Sequence, residues 1–535
     1  MTDLTERGTT TIPAQTRRRP RPLGELDETE RYEIFDELQL TMPAVWETWQ
    51  RDVEDESVVV IPSVSLSQTT ATSGTLMQAM EERALFLLLL LRQPRLRMVY
   101  VTSMPVSEQV IEYYLGLLPG VIPSHARARL QLVSVGDASP TSLSAKLLAR
   151  PRLLRSIRDL VPNQAHSHLI PYNTTSLERD LAVSLGIPMY ASDPRLEPLG
   201  TKSGCRQMFE QLGVRCPLGV EDLHDLDDLV EAVLRMRRTR PGMREAIAKL
   251  NDGVSGAGNA LVHLEDLPEP GSEDERRAVT ARLLALEPEA AELTAAAYLV
   301  SFAEDGGIIE ERIVGDRLTS PSVQMRVIPD GSVELLSTHD QMLGGPTGQQ
   351  YLGCVFPADP AYSRLITEPA MVVGRHLAGL GALGRFAVDF VVVEEHGDWT
   401  AYAIELNLRK GGTTHPFLTL QFLTDGGYDG DSGSYRTAGG ASKHLVASDH
   451  LEDPRLKVLT VSDLFDTVVV HGLHFDQARE TGVVFHMISS LTECGRIGVT
   501  AVGDTPEQAQ QLYARASSTI LEEAERALRD APAVG

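Results

Sequence analysis

The stretch RFAVDFVVVEEHGDWTAYAIELNLRKGGTTHP, Arg385 to Pro416, decides how the chain is read. Two apolar segments flank His396-Gly397, so the segment predicts a β-hairpin turning there. Strand alternation sends Tyr402, Ile404, Leu406 and Leu408 to one side, and Glu405, Asn407 and Arg409 to the other. The turn then sets Asp389 opposite Glu405. Like charges directly opposite destabilise a sheet. Asp389 is also embedded in FAVDFVVV, where an unpaired carboxylate is costly. A divalent cation relieves both problems, and Asp389, Glu405 and Asn407 offer the hard oxygen donors that Mg²⁺ takes. The alternative is that Asp389 pairs with Arg385 or Arg409. Beyond Arg409 lie Lys410-Gly411-Gly412-Thr413-Thr414-His415. The two glycines expose N–H groups fit for an oxyanion or a carboxylate, or they form a plain strand-end turn. His415 reads as structural before it reads as a general base.

Upstream, REAIAKL and ALVHL read as strands joined by DGVSGAGN, with Lys249 just before the glycines Gly253, Gly256 and Gly258. A phosphate loop of the Walker type needs a Lys-Ser/Thr and a helix after the glycines, and a dinucleotide fold needs a glycine motif opening a helix. Neither fits. A strand–loop–strand flap can instead close its N–H groups over phosphates from above, with Lys249 neutralising them. A flexible hairpin tip explains the loop equally well when it is taken alone.

The remaining chain sets the frame. From Ser57 to about Asp193, strands (SVVVIPS, RMVYVTS, LQLVSVG) alternate with helices, which implies a parallel, doubly wound sheet. HLIPYNTTSLERDLAVSLGIPMY adds a strand–helix–strand unit, its NTTSLE being either an N-cap or a polar contact. LGTKSGCRQMFEQLGV places Lys202 near a helix start, and PSVQMRVIPDGSVELLS is a hairpin around Asp330-Gly331. The domains expected are a partly disordered tail over 1–50, an α/β domain over 51–195, a lobe with the glycine flap over 196–310, a β-rich metal-binding lobe over 311–440 and a small α/β domain over 441–535. The last is left with packing or oligomerisation, a homodimer being the state to test.

The 535 residues carry 49 Lys plus Arg against 74 Asp plus Glu, a net charge of -25, so a phosphate backbone is repelled and no nucleic-acid partner is expected. Only six of the basic residues are lysines: 146, 202, 249, 410, 443 and 457. The survivors are expected where a compact ammonium is needed. Four scattered cysteines without a C-x-x-C exclude a thiolate zinc site and point to a reducing cytoplasm. MTDLTERGTT has no signal-peptide core, and the longest apolar run, Ala84 to Leu91, is too short to span a bilayer, so no membrane partner is expected.

In order, Lys202, Lys249, GVSGAGN, the linker IIEERIVG, Asp389 and Glu405-x-Asn407-x-Arg409 resemble the ATP-grasp carboxylate–amine ligase superfamily, over about 196–440. ELNLRKGGTTHP and GRIGVTAVGDTPEQA are similar to the pheganomycin-type peptide ligases, which join a nonproteinogenic amino acid to a peptide N-terminus. The resemblance implies an α/β and α+β multidomain chain: a doubly wound N-terminal pre-ATP-grasp domain, a two-lobed ATP-grasp fold and a small C-terminal domain. It implies ATP and Mg²⁺, with amino-acid and peptide substrates. Lys202 and Lys249 would hold the α- and β-phosphates, and the flap (Gly253, Ser255, Gly256, Gly258) would cover the γ-phosphate. Backbone groups of Glu311 and Ile313 would read adenine beside Glu310. Asp389, Glu405 and Asn407 would hold Mg²⁺, while Arg409, Lys410, Arg326 and Arg385 would steady the transferred phosphate. Where several relatives carry an acid for the ribose hydroxyls, this chain has Arg317 beside Asp316. The implied reaction makes an acyl phosphate that an amine attacks, in natural-product peptide biosynthesis. Rival classes are a phosphotransferase on the same fold and a non-catalytic MgATP-binding module.

Overall fold

A computed structural model describes residues 21–51, 55–65, 74–253 and 256–530. The first sheet is parallel, in the order β3-β2-β1-β4, from β1 (Glu56–Ile61), β2 (Leu96–Thr102), β3 (Leu130–Ser134) and β4 (Ser167–Pro171). All of β1 is buried, as a strand covered by helices on both faces must be. The expected strand at GIPMY is a single bridge, Leu169 to Met189, because Pro188 leaves no donor to extend the ladder. The apolar run continues the helix Gly74–Arg83 as a tight three-residue-per-turn helix, Ala84–Arg92, with Leu85, Leu88, Leu89 and Leu91 fully buried.

The tail expected over 1–50 is corrected in its second half, residues 1–20 lying outside the described ones. Asp27 caps a helix, Glu28–Gln39, through a reciprocal box with Glu30, and a second helix covers Met42–Arg51. Phe35, Met42 and Val45 are buried against the first sheet and Tyr190. The apolar positions lie among many charges, which masked the pattern.

The second sheet is antiparallel, in the order β5-β9-β6-β7-β8, from β5 (Gly219–Leu223), β6 (Glu245–Leu250), β7 (Asn259–His263), β8 (Glu287–Pro288) and β9 (Gly307–Glu311). β5 occupies what reads in sequence as the start of a helix. That helix begins at Leu226, where Asp225 caps it. The third sheet has nine strands. β10 (Arg317–Thr319), β14 (Gly384–Glu395), β11 (Pro321–Val327), β12 (Val333–Gly344) and β13 (Gln350–Phe356) run into β18 (His444–Glu452), β20 (Arg496–Gly503) and β19 (Gly482–His486), with β15 (Asp398–Asn407) on β14. Between them, β16 (Gly427–Asp429) and β17 (Ser434–Arg436) form a separate hairpin. The boundary expected at 440 therefore cuts a continuous sheet, since Cys354, Val355 and Phe356 pair with Ala447, Val446 and Leu445. The last strands extend the β-rich lobe and share one core with the first sheet's helices.

All four cysteines are free thiols. Among the described residues no helix is long and apolar enough to cross a membrane.

Candidate active site

The β14–β15 register pairs Asp389 with Glu405 and Ala387 with Asn407. Asn407 Nδ2 donates to Asp389 Oδ2 at 2.9 Å, leaving the amide oxygen of Asn407 as a donor to a cation. Burial first, and then Glu405, pushes Asp389 up to about 6. Burial pushes Glu405 the same way, but Lys202, whose Nζ is 2.7 Å from Oε1, and then Arg409 and Lys249 hold its carboxyl below the usual range. Neither Arg385 nor Arg409 forms an ion pair with Asp389 among the described residues. A half-buried acid pair with an amide oxygen fits a hard divalent cation. A bulge between Asp389 and Phe390 breaks the alternation, so Ile404 joins Glu405 on the cavity wall instead of facing away with Leu406.

Lys202 is the first residue of the helix Lys202–Leu212, capped by Thr201, whose Oγ1 accepts from Gly204 N. Asn251 ties that helix start to the glycine loop: its carbonyl accepts from Lys202 N and its Oδ1 from Ser203 N. Lys249 Nζ is 2.5 Å from Glu310 Oε1, and Arg206 Nη1 is 3.6 Å from Glu310 Oε2. These elements face one cavity of about 1150 Å³. Lys202, Lys249, Gly253, Gly256, Gly258, Glu310, Glu311, Ile313, Asp389, Glu405, Asn407 and Arg409 all line it. Ser255 lies outside the described residues.

The glycine loop reaches across to the opposite lobe. Gly256 has φ +84, a conformation L side chains rarely adopt, and a Cβ there would sit 2.5 Å from the carbonyl oxygen of Gln349. Asn259 Nδ2 donates to Gln349 Oε1 at 2.9 Å, and Glu289 of the loop's lobe accepts from Thr347 N at 3.1 Å.

Several expectations are corrected. Arg326 and Arg385 pair with each other across β11 and β14. They do not line the cavity: Arg326 bonds Glu334 and stands over the Trp46 ring, because two residues beyond Asp389 and Ala387 the strands have passed the site. Lys410 is absent from the cavity wall too. Its Nζ donates to Pro171 O at 2.5 Å, and burial, then Arg385, lowers it to about 7. The Glu311 N–H donates to Leu218 O at 2.7 Å, so of its backbone groups a base would have to meet the carbonyl; Glu311 and Ile313 both line the cavity. Of the glycine pair, Gly411 N–H already donates to Thr414 Oγ1, which leaves Gly412. Arg317 leaves the site as well, bonding Glu394 and stacking on Trp399.

Sequence reasoning missed Ser322 and Gln324 on β11, which share the cavity face with Asp389, and a second cluster: Arg83, Tyr172, Asp449, His450 and Arg496. Alternation along β11 was the available signal for the first pair. The second cluster has none, since its members come from four separate segments. His415 is buried beside Asp449 and His486, its Nε2 3.3 Å from Asp449 Oδ1 and 3.0 Å from His486 Nε2.

Residues 293–430 match a family described as IQCH-like, ATP-grasp, and residues 463–516 match one described as the PGM1 C-terminal domain. The ATP-grasp match takes in Asp389, Glu405, Asn407 and Arg409, so over those residues the chain is similar to that family. It is 29% identical over 450 residues to L-propargylglycine–L-glutamate ligase of Streptantibioticus cattleyicolor, covering 82% of this chain and 89% of that protein. It is 23% identical over 515 residues to IQ motif-containing protein H of Danio rerio, covering 87% of this chain but 48% of that longer protein. In fold it is similar to the biotin carboxylase of Campylobacter jejuni, solved with an ATP analogue (TM-score 0.51, 13% identity, 88% of this chain and 95% of that one). It is similar also to the biotin carboxylase domain of the Hydrogenobacter thermophilus 2-oxoglutarate carboxylase, solved with MgADP (TM-score 0.52, 12% identity, 86% of this chain and 89% of that one).

Proposed function

We propose that this protein is an ATP-dependent carboxylate–amine ligase that joins an amino-acid carboxylate to the amine of a second amino acid or a short peptide. The observation that carries this reading is the placement of Asp389, Glu405 and Asn407 on one cavity with Lys202, Lys249 and the glycine loop. The 450-residue likeness to a ligase named for two amino acids supports the substrate class.

A carboxylate is a poor acyl donor because its oxygen leaves badly. Its oxygen attacks the γ-phosphorus of ATP, the bond from γ-phosphorus to the bridging oxygen breaks, and ADP departs with the electron pair. The amine then attacks the acyl carbon of the mixed anhydride. The tetrahedral oxyanion collapses, inorganic phosphate leaves with its electron pair, and the nitrogen gives up a proton to form the amide. Asp389, Glu405 and Asn407 would hold Mg²⁺, which when bound supplies charge neutralisation to the phosphates.

The chain's own groups do the rest. Lys202 and Lys249 are buried ammonium groups positioned to meet phosphate oxygens, and each is paired with an acid here. Arg409 lines the cavity beside Glu405 and Asn407, where a guanidinium meets the charge that develops in transfer. Gly412 offers an N–H to the oxyanion. The loop at Gly256 rests on Gln349 and excludes water from the anhydride.

Incubation with MgATP and pools of amino acids and short peptides tests the reading, with mass spectrometry for the condensed product and nucleotide analysis. The expected products are an amide, ADP and phosphate. AMP as the nucleotide, or phosphate left on the organic product, overturns it.

A further inference from the structure

The phosphate-facing residues share the 1150 Å³ cavity with a second charged group that is built differently. There Asp449 is fully engaged: Oδ2 accepts from Arg83 Nη1 at 2.7 Å, and Oδ1 lies 2.7 Å from His486 Nε2. Arg83 also donates to the Tyr172 hydroxyl at 2.8 Å. Arg496, the first residue of β20, is left over. Its Nε donates to the Asp449 carbonyl at 2.6 Å, its Nη1 reaches Glu452 only at 4.0 Å, and its side chain is 15% exposed. Next to Asp449, His450 keeps a buried Nδ1 that has no partner. A guanidinium held away from water, whose ion pair with Glu452 spans 4.0 Å, keeps N–H groups that a further anion can take. Leu76, Met77 and Met80, on the helix that ends in Arg83, add apolar lining to the cavity.

We propose that this group is a carboxylate subsite for the amine-bearing substrate: Arg496 holds a carboxylate that survives the reaction, His450 assists it, and Leu76, Met77 and Met80 receive an apolar side chain. The proposal rests on the ligase reading for the word substrate. The carboxylate that is phosphorylated must meet the acids and Arg409, and it loses its charge on activation. A cation on β20, on the other flank of the sheet from β14, therefore serves a carboxylate that is not consumed. Arg forks such an anion with two parallel N–H bonds, a geometry that a lysine cannot reproduce. Methionines beside it adapt to side chains of several shapes.

The test measures binding on the full-length chain with Mg²⁺ and a non-hydrolysable ATP analogue. The probes are L-methionine, L-leucine and L-valine, and the C-terminal amide of each. The wild type is expected to bind at least one free acid tenfold or more tightly than its amide. Arg496→Gln is expected to abolish that preference while leaving the affinity for the ATP analogue within twofold, and Arg496→Lys to keep part of it. Met80→Trp, which leaves the cation in place, is expected to shift selection towards the smallest side chain. An Arg496→Gln chain that still prefers the acid overturns the subsite, as does a wild type with no acid preference. The ligase reading fails separately, as an intact acid preference without amide formation in any substrate mixture.

Discussion

The Nζ of Lys202 lies 2.7 Å from Oε1 of Glu405, joining the start of the helix Lys202–Leu212 to the acid row of β15. Lys202 is 6% exposed and Glu405 21%, so each ion is the other's main compensation. ATP phosphates would take over Lys202 and a cation would take over Glu405, so the pair keeps the site neutral between turnovers. Lys202→Met preserves the stem and removes the charge. The expected result is a Kd for MgATP raised at least tenfold, about 1.4 kcal/mol, with the fold retained by circular dichroism. Titration calorimetry checks it, and a Kd within twofold of the wild type removes Lys202 from the site.

Gly256 tests the lid. With φ +84 and the Gln349 carbonyl 2.5 Å from where a Cβ would stand, Gly256→Ala strains the loop and lifts it off the opposite lobe. The expected outcome is a kcat for amide formation down at least tenfold and ADP released in excess of product, because water reaches the anhydride. The ADP-to-amide ratio is the readout. A ratio of one with wild-type kcat would show that the loop does not gate water.

Much of this site was legible because the hairpin obeys a period of two. His396-Gly397 fixed the turn, and the turn fixed Asp389 against Glu405. Ile404 was misassigned because a bulge is a one-residue defect that alternation cannot announce. Arg326 and Arg385 share the face of Asp389, and sequence gives no sign of how far along a strand the cavity ends. Arg83, Asp449 and Arg496 were invisible as a group, since the β18–β20 ladder and the helix Gly74–Arg83 bring them together from 366 or more positions apart in the case of Arg83 and Asp449. Five of the six lysines, all but exposed Lys457, are buried or half-buried, and Lys202, Lys249 and Lys443 each meet an acid.

Glu82 sets a pH dependence of stability. It is 5% exposed, its Oε2 accepts from Ser489 N at 3.0 Å, and burial pushes its carboxyl up from 4.5 to about 7. The folded state therefore holds this proton more tightly than the unfolded one. The associated stability is fully present below pH 4.5 and is lost as pH rises through about 7. Glu82→Gln keeps an acceptor for Ser489 and cannot ionise. It is expected to stabilise the chain at pH 8 by on the order of 1–3 kcal/mol and to change little at pH 4.5. Thermal unfolding at both pH values checks the difference, and equal gains at both would assign the effect to something other than ionisation.

The N-terminal helices supply the last test, because a dispensable tail and a folded element respond differently to single substitutions. Asp27 Oδ1 accepts from Glu30 N at 2.9 Å and Glu30 Oε2 from Asp27 N at 3.0 Å, closing both ends of a capping box. Arg179, 1% exposed in side chain, reaches Glu28 at 2.5 Å and stacks over the Tyr32 ring at 4.3 Å, so the helix Glu28–Gln39 covers an otherwise buried guanidinium. Phe35 is completely buried in the same interface. Asp27→Ala is expected to cost about 1 kcal/mol through the lost cap. Phe35→Ala is expected to cost about 3–5 kcal/mol through the cavity it leaves. The ordering carries the argument, since a solvated tail would give no effect for either, and a helix docked loosely would give a cap effect without a core effect. Differential scanning calorimetry of the two variants beside the wild type decides, and unchanged melting for Phe35→Ala would return residues 28–51 to the status of a tail.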